Sequence, residues 1–220
     1  MRVTVIGASG GIGSEFVRQG IEDGHEITAV VRDSARSSAA IREWEKVPVG
    51  GPGRLQVAVV DSLSPGALVD AVAGRDGVVS ALGPAGRGSD PTVNSRGVRA
   101  ATMAMRETGT LRIVAVSAAP LFADGPFVYR RVARPLLWAA FGAHYRDLVR
   151  MEQVLVESGL DWSTVRPPKL TNRAGGGHPG LVADSPPVGG FVARADVAFA
   201  ILRVLSDSST IGHHVGVGPR

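Results

Sequence analysis

Val3-Thr-Val-Ile-Gly-Ala-Ser-Gly-Gly-Ile-Gly13 decides the fold. Val3–Ile6 is a short apolar, β-branched run, and the amphipathic stretch from Gly11 to Glu22 predicts a helix. Gly7, Gly10 and Gly13 stand at the junction, each with its own task. Gly7 permits a sharp exit from the strand, Gly10 lets backbone N–H groups approach an anion, and Gly13 lets helix and sheet pack closely. The unpaired amides of the helix start attract a diphosphate. The pattern reads as a dinucleotide-binding turn, with Ser9, Gly11 and Ile12 among the contacts. The plain alternative is a strand-to-helix turn that holds no ligand.

Outward from this turn, apolar runs alternate with amphipathic segments, which predicts βαβ units and a mostly parallel sheet. Strands are expected near Val3–Ile6, Ile27–Val31, Leu55–Val60, Gly77–Ala81, Leu111–Val116 and Trp162–Arg166, with His213–Val217 as an edge. Helices are expected near Gly11–Glu22, Ala39–Trp44, Pro65–Ala73, Thr92–Thr108, Val128–Ala140, Tyr145–Ser158 and Ala195–Ser206. The Gly- and Pro-rich stretches Pro48–Arg54, Gly83–Pro91 and Thr171–Gly190 read as loops, the last long enough to cover a ligand or partner surface. The expected architecture is a single-domain α/β Rossmann fold, a doubly wound sheet with helices on both faces.

The second strand ends Val31-Arg32-Asp33-Ser34-Ala35-Arg36, where a Rossmann fold meets the adenosine ribose. A guanidinium suits a 2′-phosphate, so Arg32 favours NADPH, with Ser34 and Arg36 as further contacts. The open alternative has Asp33 accepting from the ribose of NAD. Asp61 and Ser62, after the third strand, fit the adenine side, although Asp61 equally suits a helix cap. Leu82 and Gly83 follow the fourth strand and Val116 and Ser117 end the fifth, so all four are expected to line the cofactor.

Composition narrows the classes. The 220 residues include no cysteine, which removes disulfides, thiolate nucleophiles and cysteine-ligated metals, and a reducing compartment is the simplest home. The N-terminus lacks a signal-peptide pattern, and no apolar run approaches a membrane span of about 18 residues. The expectation is a cytoplasmic chain with no membrane contact. The net charge of +4 comes from scattered arginines, which suits an anionic small molecule better than nucleic acid. His213 and His214 alternate across a strand and cannot share a metal, so none is expected.

Three further segments carry a resemblance: Ala81-Leu82-Gly83, Arg150-Met151-Glu152, and Ser158-Gly159-Leu160-Asp161-Trp162 followed by Val165-Arg166-Pro167-Pro168. With the glycine turn, they resemble the atypical short-chain dehydrogenase/reductases over nearly the whole chain. Within that superfamily the chain is similar to the flavin reductase/biliverdin-IXβ reductase group and to NmrA-like proteins. The resemblance implies NADPH across the carboxyl ends of the strands, with nicotinamide near the end of the fifth strand and Pro167–Leu170. It also implies a serine hydroxyl there, which falls on Ser117 or, one residue on, is replaced by Ala118.

The chain departs from the superfamily's Tyr-x-x-x-Lys pair, in which the lysine lowers the tyrosine pKa for proton exchange with a carbonyl. Tyr145 is followed four residues on by Val149, and Tyr129 by Ala133. A conjugated acceptor that takes its proton from solvent needs no such pair. Ser117, Lys169 and Tyr145 are the catalytic candidates, although Lys169 also reads as a solvated loop charge and Tyr145 as core or rim packing. Arg150 and Glu152 are expected to pair. The function expected is an NADPH-dependent reductase, monomeric or homodimeric, acting on a flavin, quinone or similar acceptor. The alternative is a non-catalytic NADP(H) sensor of the NmrA-like kind.

Overall fold

The computed structural model describes residues 1–48, 53–60, 63–84, 90–122, 127–186 and 189–219. Its order begins β1 (Arg2–Ile6), α1 (Gly11–Glu22), β2 (Glu26–Val31), α2 (Ser34–Glu45) and β3 (Arg54–Val59). It continues α3 (Pro65–Val72), β4 (Gly77–Ser80), α4 (Val93–Thr108), β5 (Arg112–Val116) and, after a π-helical turn at Tyr129–Ala133, α5 (Arg134–Val156). Then come β6 (Asp161–Arg166), β7 (Lys169–Thr171), β8 (Gly180–Ala183), β9 (Phe191–Ala193), α6 (Arg194–Ser206) and β10 (His214–Gly218).

The main sheet runs β3-β2-β1-β4-β5-β6-β10-β8, parallel throughout except for β8, and β7 pairs with β9 in a small separate ladder. The strand order reverses between β1 and β4, and the crevice at such a switch point is where open α/β sheets bind ligands. Two cores cover the two faces. Val3, Val5, Val79 and Val114 face α1 and α6, packing on Phe16, Val17 and Ile201. Ile6, Val78, Ile113 and Ala115 face α3, α4 and α5, packing on Leu68, Met105, Leu148 and Met151. The period-2 alternation of each strand divides its side chains between these layers.

Four expectations need correction. His214–Gly218 is an interior strand, because β8 adds an antiparallel edge outside it; Val215 to Gly218 are all buried, whereas most of β8 is exposed. The 171–190 stretch is accordingly not a plain cover loop. The second helix starts at Ser34, because Asp33 caps it by accepting from the Ala35 and Arg36 amides, and its first turn has no apolar face to reveal it. The two helices expected around residues 128–158 join into α5, and the break between them survives as a kink at Phe141 (φ −124°, ψ 18°).

Candidate functional site

Gly7 leaves β1 with φ +83°, a left-handed conformation that strains any L side chain, and a Cβ there would lie 2.8 Å from the Ala81 carbonyl oxygen. The chain closes a tight turn with Gly10 N donating to Gly7 O at 3.0 Å. A Cβ on Gly13 would enter the space of that same Gly7 oxygen, so Gly13 shapes the turn from beneath and is not itself in the cleft lining. No side chain caps the start of α1. Its first amides therefore remain for an anion.

Over this turn opens a cleft of about 650 Å³. Gly7, Ser9, Gly10, Gly11 and Ile12 form its floor, Arg32 stands at the end of β2, and Leu82, Gly83, Val116, Ser117 and Pro167 line the carboxyl ends of the central strands. The fourth side is α5, which contributes Phe141, His144, Tyr145 and Leu148. Arg32 and Arg194 are the two charged side chains lining the cleft among the described residues, and both are cationic.

Arg194 is the functional residue that sequence reading passed over. It opens α6, far from the glycine turn in sequence, yet a Cβ on Gly11 would lie 2.6 Å from its Cδ. Its guanidinium donates to the Asn172 side-chain oxygen, which anchors it above the start of α1. The signal available was an arginine opening the last helix, and nothing local tied it to residue 11.

Other candidates fall outside the lining. Lys169 is exposed on β7 with its Nζ 5.4 Å from the centre of the Phe191 ring, and the alternation of the strand turns Leu170 into the cleft instead. Ser34 and Arg36 do not line it either; Arg36 is 91% exposed and pairs with Asp33 at 3.4 Å. Asp33 spends its carboxylate on the α2 cap, with bonds of 2.8 and 3.1 Å. Asp61 and Ser62 lie outside the described residues.

Ser117 and Ala118 both line the cleft. The Ser117 hydroxyl donates to Glu152 Oε1 at 2.7 Å. Glu152 does not pair with Arg150, which is exposed; it receives a two-pronged bond from Arg166, Nε to Oε1 at 2.9 Å and a terminal nitrogen to Oε2 at 2.6 Å. The reason is topological: β6 brings Arg166 under the last turns of α5, and the guanidinium also stacks 4.4 Å over Phe122. Ser117 is thus the point where a buried ion pair touches the cleft.

The α5 wall is fixed from behind. Asp147, fully buried, accepts from Asn94 N and Nδ2 at 3.0 Å each and from Ser95 Oγ at 2.5 Å, so it caps the start of α4. His144, one turn earlier in the wall, has its pKa pushed below the usual imidazole range by burial, against a smaller opposing pull from Asp147. Tyr145 is buried, with its ring 5.4 Å from that of Trp138. His213 and His214 take separate partners, Asp184 at 2.5 Å and Thr164 at 2.8 Å.

The site fits a dinucleotide: a floor without Cβ atoms, unspent helix amides, two cations at different points of the cleft and mostly apolar walls. The comparisons agree. A Bacillus subtilis protein described as the uncharacterized sugar epimerase YhfK is 30% identical over 96% of this chain and 90% of its own length. The structure of ChuY, an anaerobillin reductase from Escherichia coli O157:H7, superposes with a TM-score of 0.74 at 21% identity, covering 98% of this chain and 97% of that one. A Veillonella parvula short-chain dehydrogenase/reductase solved with NADP gives 0.72 at 19% identity, covering 99% and 94%. The family model described as NAD(P)H-binding matches residues 7–208, and this chain, a Rossmann-type α/β fold, belongs to that family.

Proposed function

We propose that the protein is an NADPH-dependent reductase whose hydride acceptor is a flat conjugated molecule, a flavin, a quinone or a similar compound. The observation that carries this reading is a complete dinucleotide cleft whose one expected serine hydroxyl, that of Ser117, already gives its proton to Glu152. Neither tyrosine of the chain has a lysine four residues on, so the phenol–ammonium pair that serves alcohol and sugar chemistry is missing. The epimerase description of the Bacillus subtilis relative is therefore not carried over.

Each residue then has a binding or positioning task. The Gly11 and Ile12 amides hold the diphosphate, and Arg194 closes over it from α6. Arg32 takes the 2′-phosphate, while Asp33, committed to its cap, is poorly placed to accept from a ribose hydroxyl; this supports NADPH over NADH. When bound, reduced nicotinamide supplies the hydride, and an acceptor of this kind takes its proton from solvent. Pro167, Leu170, Phe141 and Tyr145 exclude water and hold the acceptor flat. Ser117, held by Glu152, presents lone pairs to the carboxamide end of the site.

The test is NADPH oxidation followed with FMN, FAD and a water-soluble quinone as separate acceptors. Turnover with at least one of them is expected. Binding of NADPH without turnover on any acceptor would overturn the reading and favour a redox sensor, which would have to distinguish NADPH from NADP in affinity.

A further inference from the structure

The outer face of the π-helical turn and of the first half of α5 is apolar where a surface helix is normally polar. Val132, Leu136, Ala139, Ala140 and Ala143 follow one another at helical spacing, and all are exposed, Leu136 by 64%. The opposite face is apolar as well, since Leu137 and Trp138 pack into the core beneath. A helix apolar on both faces requires a second cover. Phe127 and Val128, 74% and 67% exposed, extend the same surface at the start of the segment.

Charge identifies the cover. From Phe127 to Arg146 the chain carries Arg130, Arg131, Arg134 and Arg146 and no acidic residue, so this stretch alone matches the +4 of the whole chain. Arg134 is held inward, donating to the Pro120 carbonyl at 3.2 Å, but Arg130, Arg131 and Arg146 are exposed at the two ends of the apolar stripe. A second copy is a poor occupant. Whether two such helices pair parallel or antiparallel, arginines meet arginines, and like charges facing each other oppose association. An apolar stripe flanked by cations matches an anionic bilayer surface, where acyl chains receive the stripe and headgroups receive the guanidinium groups.

We propose that the Phe127–Arg146 face docks on an anionic lipid surface, lying in its plane. No helix among the described residues is long and apolar enough to cross a membrane. The expectation of no membrane contact rested on the lack of a spanning run, and interfacial docking needs none. Phe141 lines the cleft and is itself exposed, so a bilayer on this face lies beside the cleft rim. Docking is independent of the proposed reaction and is measured without cofactor or acceptor, so either can fail alone.

The experiment is vesicle flotation of the full chain with phosphatidylcholine alone and with phosphatidylcholine and phosphatidylglycerol in equal parts. Flotation with the mixed vesicles, weakened by high salt, is expected. Arg130→Ser with Arg131→Ser should weaken partitioning about 25-fold, from roughly fivefold per arginine. Leu136→Glu, at a position outside the cleft lining, should remove it. Circular dichroism and NADPH titration check that the variants fold, and if Leu136→Glu does not, the arginine pair decides. No flotation at low salt, equal flotation with neutral vesicles, or a dimer in sedimentation that Leu136→Glu dissociates would overturn the proposal.

Discussion

The two walls of the cleft are built by different means. The glycine floor, residues 7–13, works through backbone: a positive φ, amides left unpaired, and Cβ atoms that have no room. The opposite wall, from Ser117 across α5 to Pro167, works through side chains held by a buried carboxylate at each end, Asp147 against α4 and Glu152 against Arg166. A backbone site tolerates almost any neighbouring side chain but no added methyl group. A side-chain site depends on its buried pairs and is open to variation in what it presents.

That contrast can be broken at either wall, with different readouts. Glu152→Ala strands a buried guanidinium, and loss of one partner of a buried pair costs about 3–5 kcal/mol. The loss should appear in urea unfolding, with part of it restored when Arg166→Met is added. Gly13→Val drives a side chain into the Gly7 carbonyl and should cost about 2–3 kcal/mol of stability. It should also weaken NADPH binding by roughly two orders of magnitude, whereas a folded Glu152 variant, which disturbs only the Ser117 contact at the carboxamide end, should lose far less affinity. Equal effects of both substitutions on cofactor affinity would mean that the two walls are not separable.

The two cations sharpen the picture within the cofactor side. Arg32→Ala should weaken NADPH by about 10- to 100-fold and leave NADH unchanged, because a charge-assisted bond to the 2′-phosphate is worth roughly 1.5–3 kcal/mol. Arg194→Gln should weaken both forms alike, by about tenfold, because the diphosphate is common to them. Calorimetric titration of each variant with each form checks this. An Arg194 effect confined to NADPH would move that residue to the ribose end.

The smallest effect is in pH. Burial lowers the pKa of His144 and of His214 from the ordinary 6.5. The unfolded chain then binds more protons than the folded one, so stability is complete above that ordinary value and declines as pH falls through the lower folded values. The Tm should drop on acidification below about pH 6.5. His144→Gln and His214→Gln should each flatten the slope, and a Tm that rises on acidification would contradict the burial of both rings.

How much was legible follows the same division. The turn was readable because its requirements fall on residue type: glycine alone fits at Gly7 and Gly13, and they are contiguous with β1 and α1. Arg32 was readable because it ends the strand beside them. Arg194 was not, since its nearness to Gly11 is made by α6 packing on α1, a contact between the two ends of the chain. Lys169 was misplaced because strand parity, which turns Leu170 inward, shows only once β7 and β9 pair. Sequence proximity suggests Arg150 as the partner of Glu152, yet Arg150 lies on the exposed side of their shared helix and the true partner, Arg166, arrives from β6. The edge expected at His213–Val217 failed for a similar reason: four residues inside a Gly- and Pro-rich stretch, Gly180–Ala183, were too short to announce a strand.

The most direct measurement is calorimetric titration of the unaltered chain with NADPH and with NADH. The predicted result is one site per chain for both, with NADPH bound at least about tenfold more tightly. Tighter binding of NADH would remove the role given to Arg32, and absence of measurable affinity for either would contradict the dinucleotide site itself.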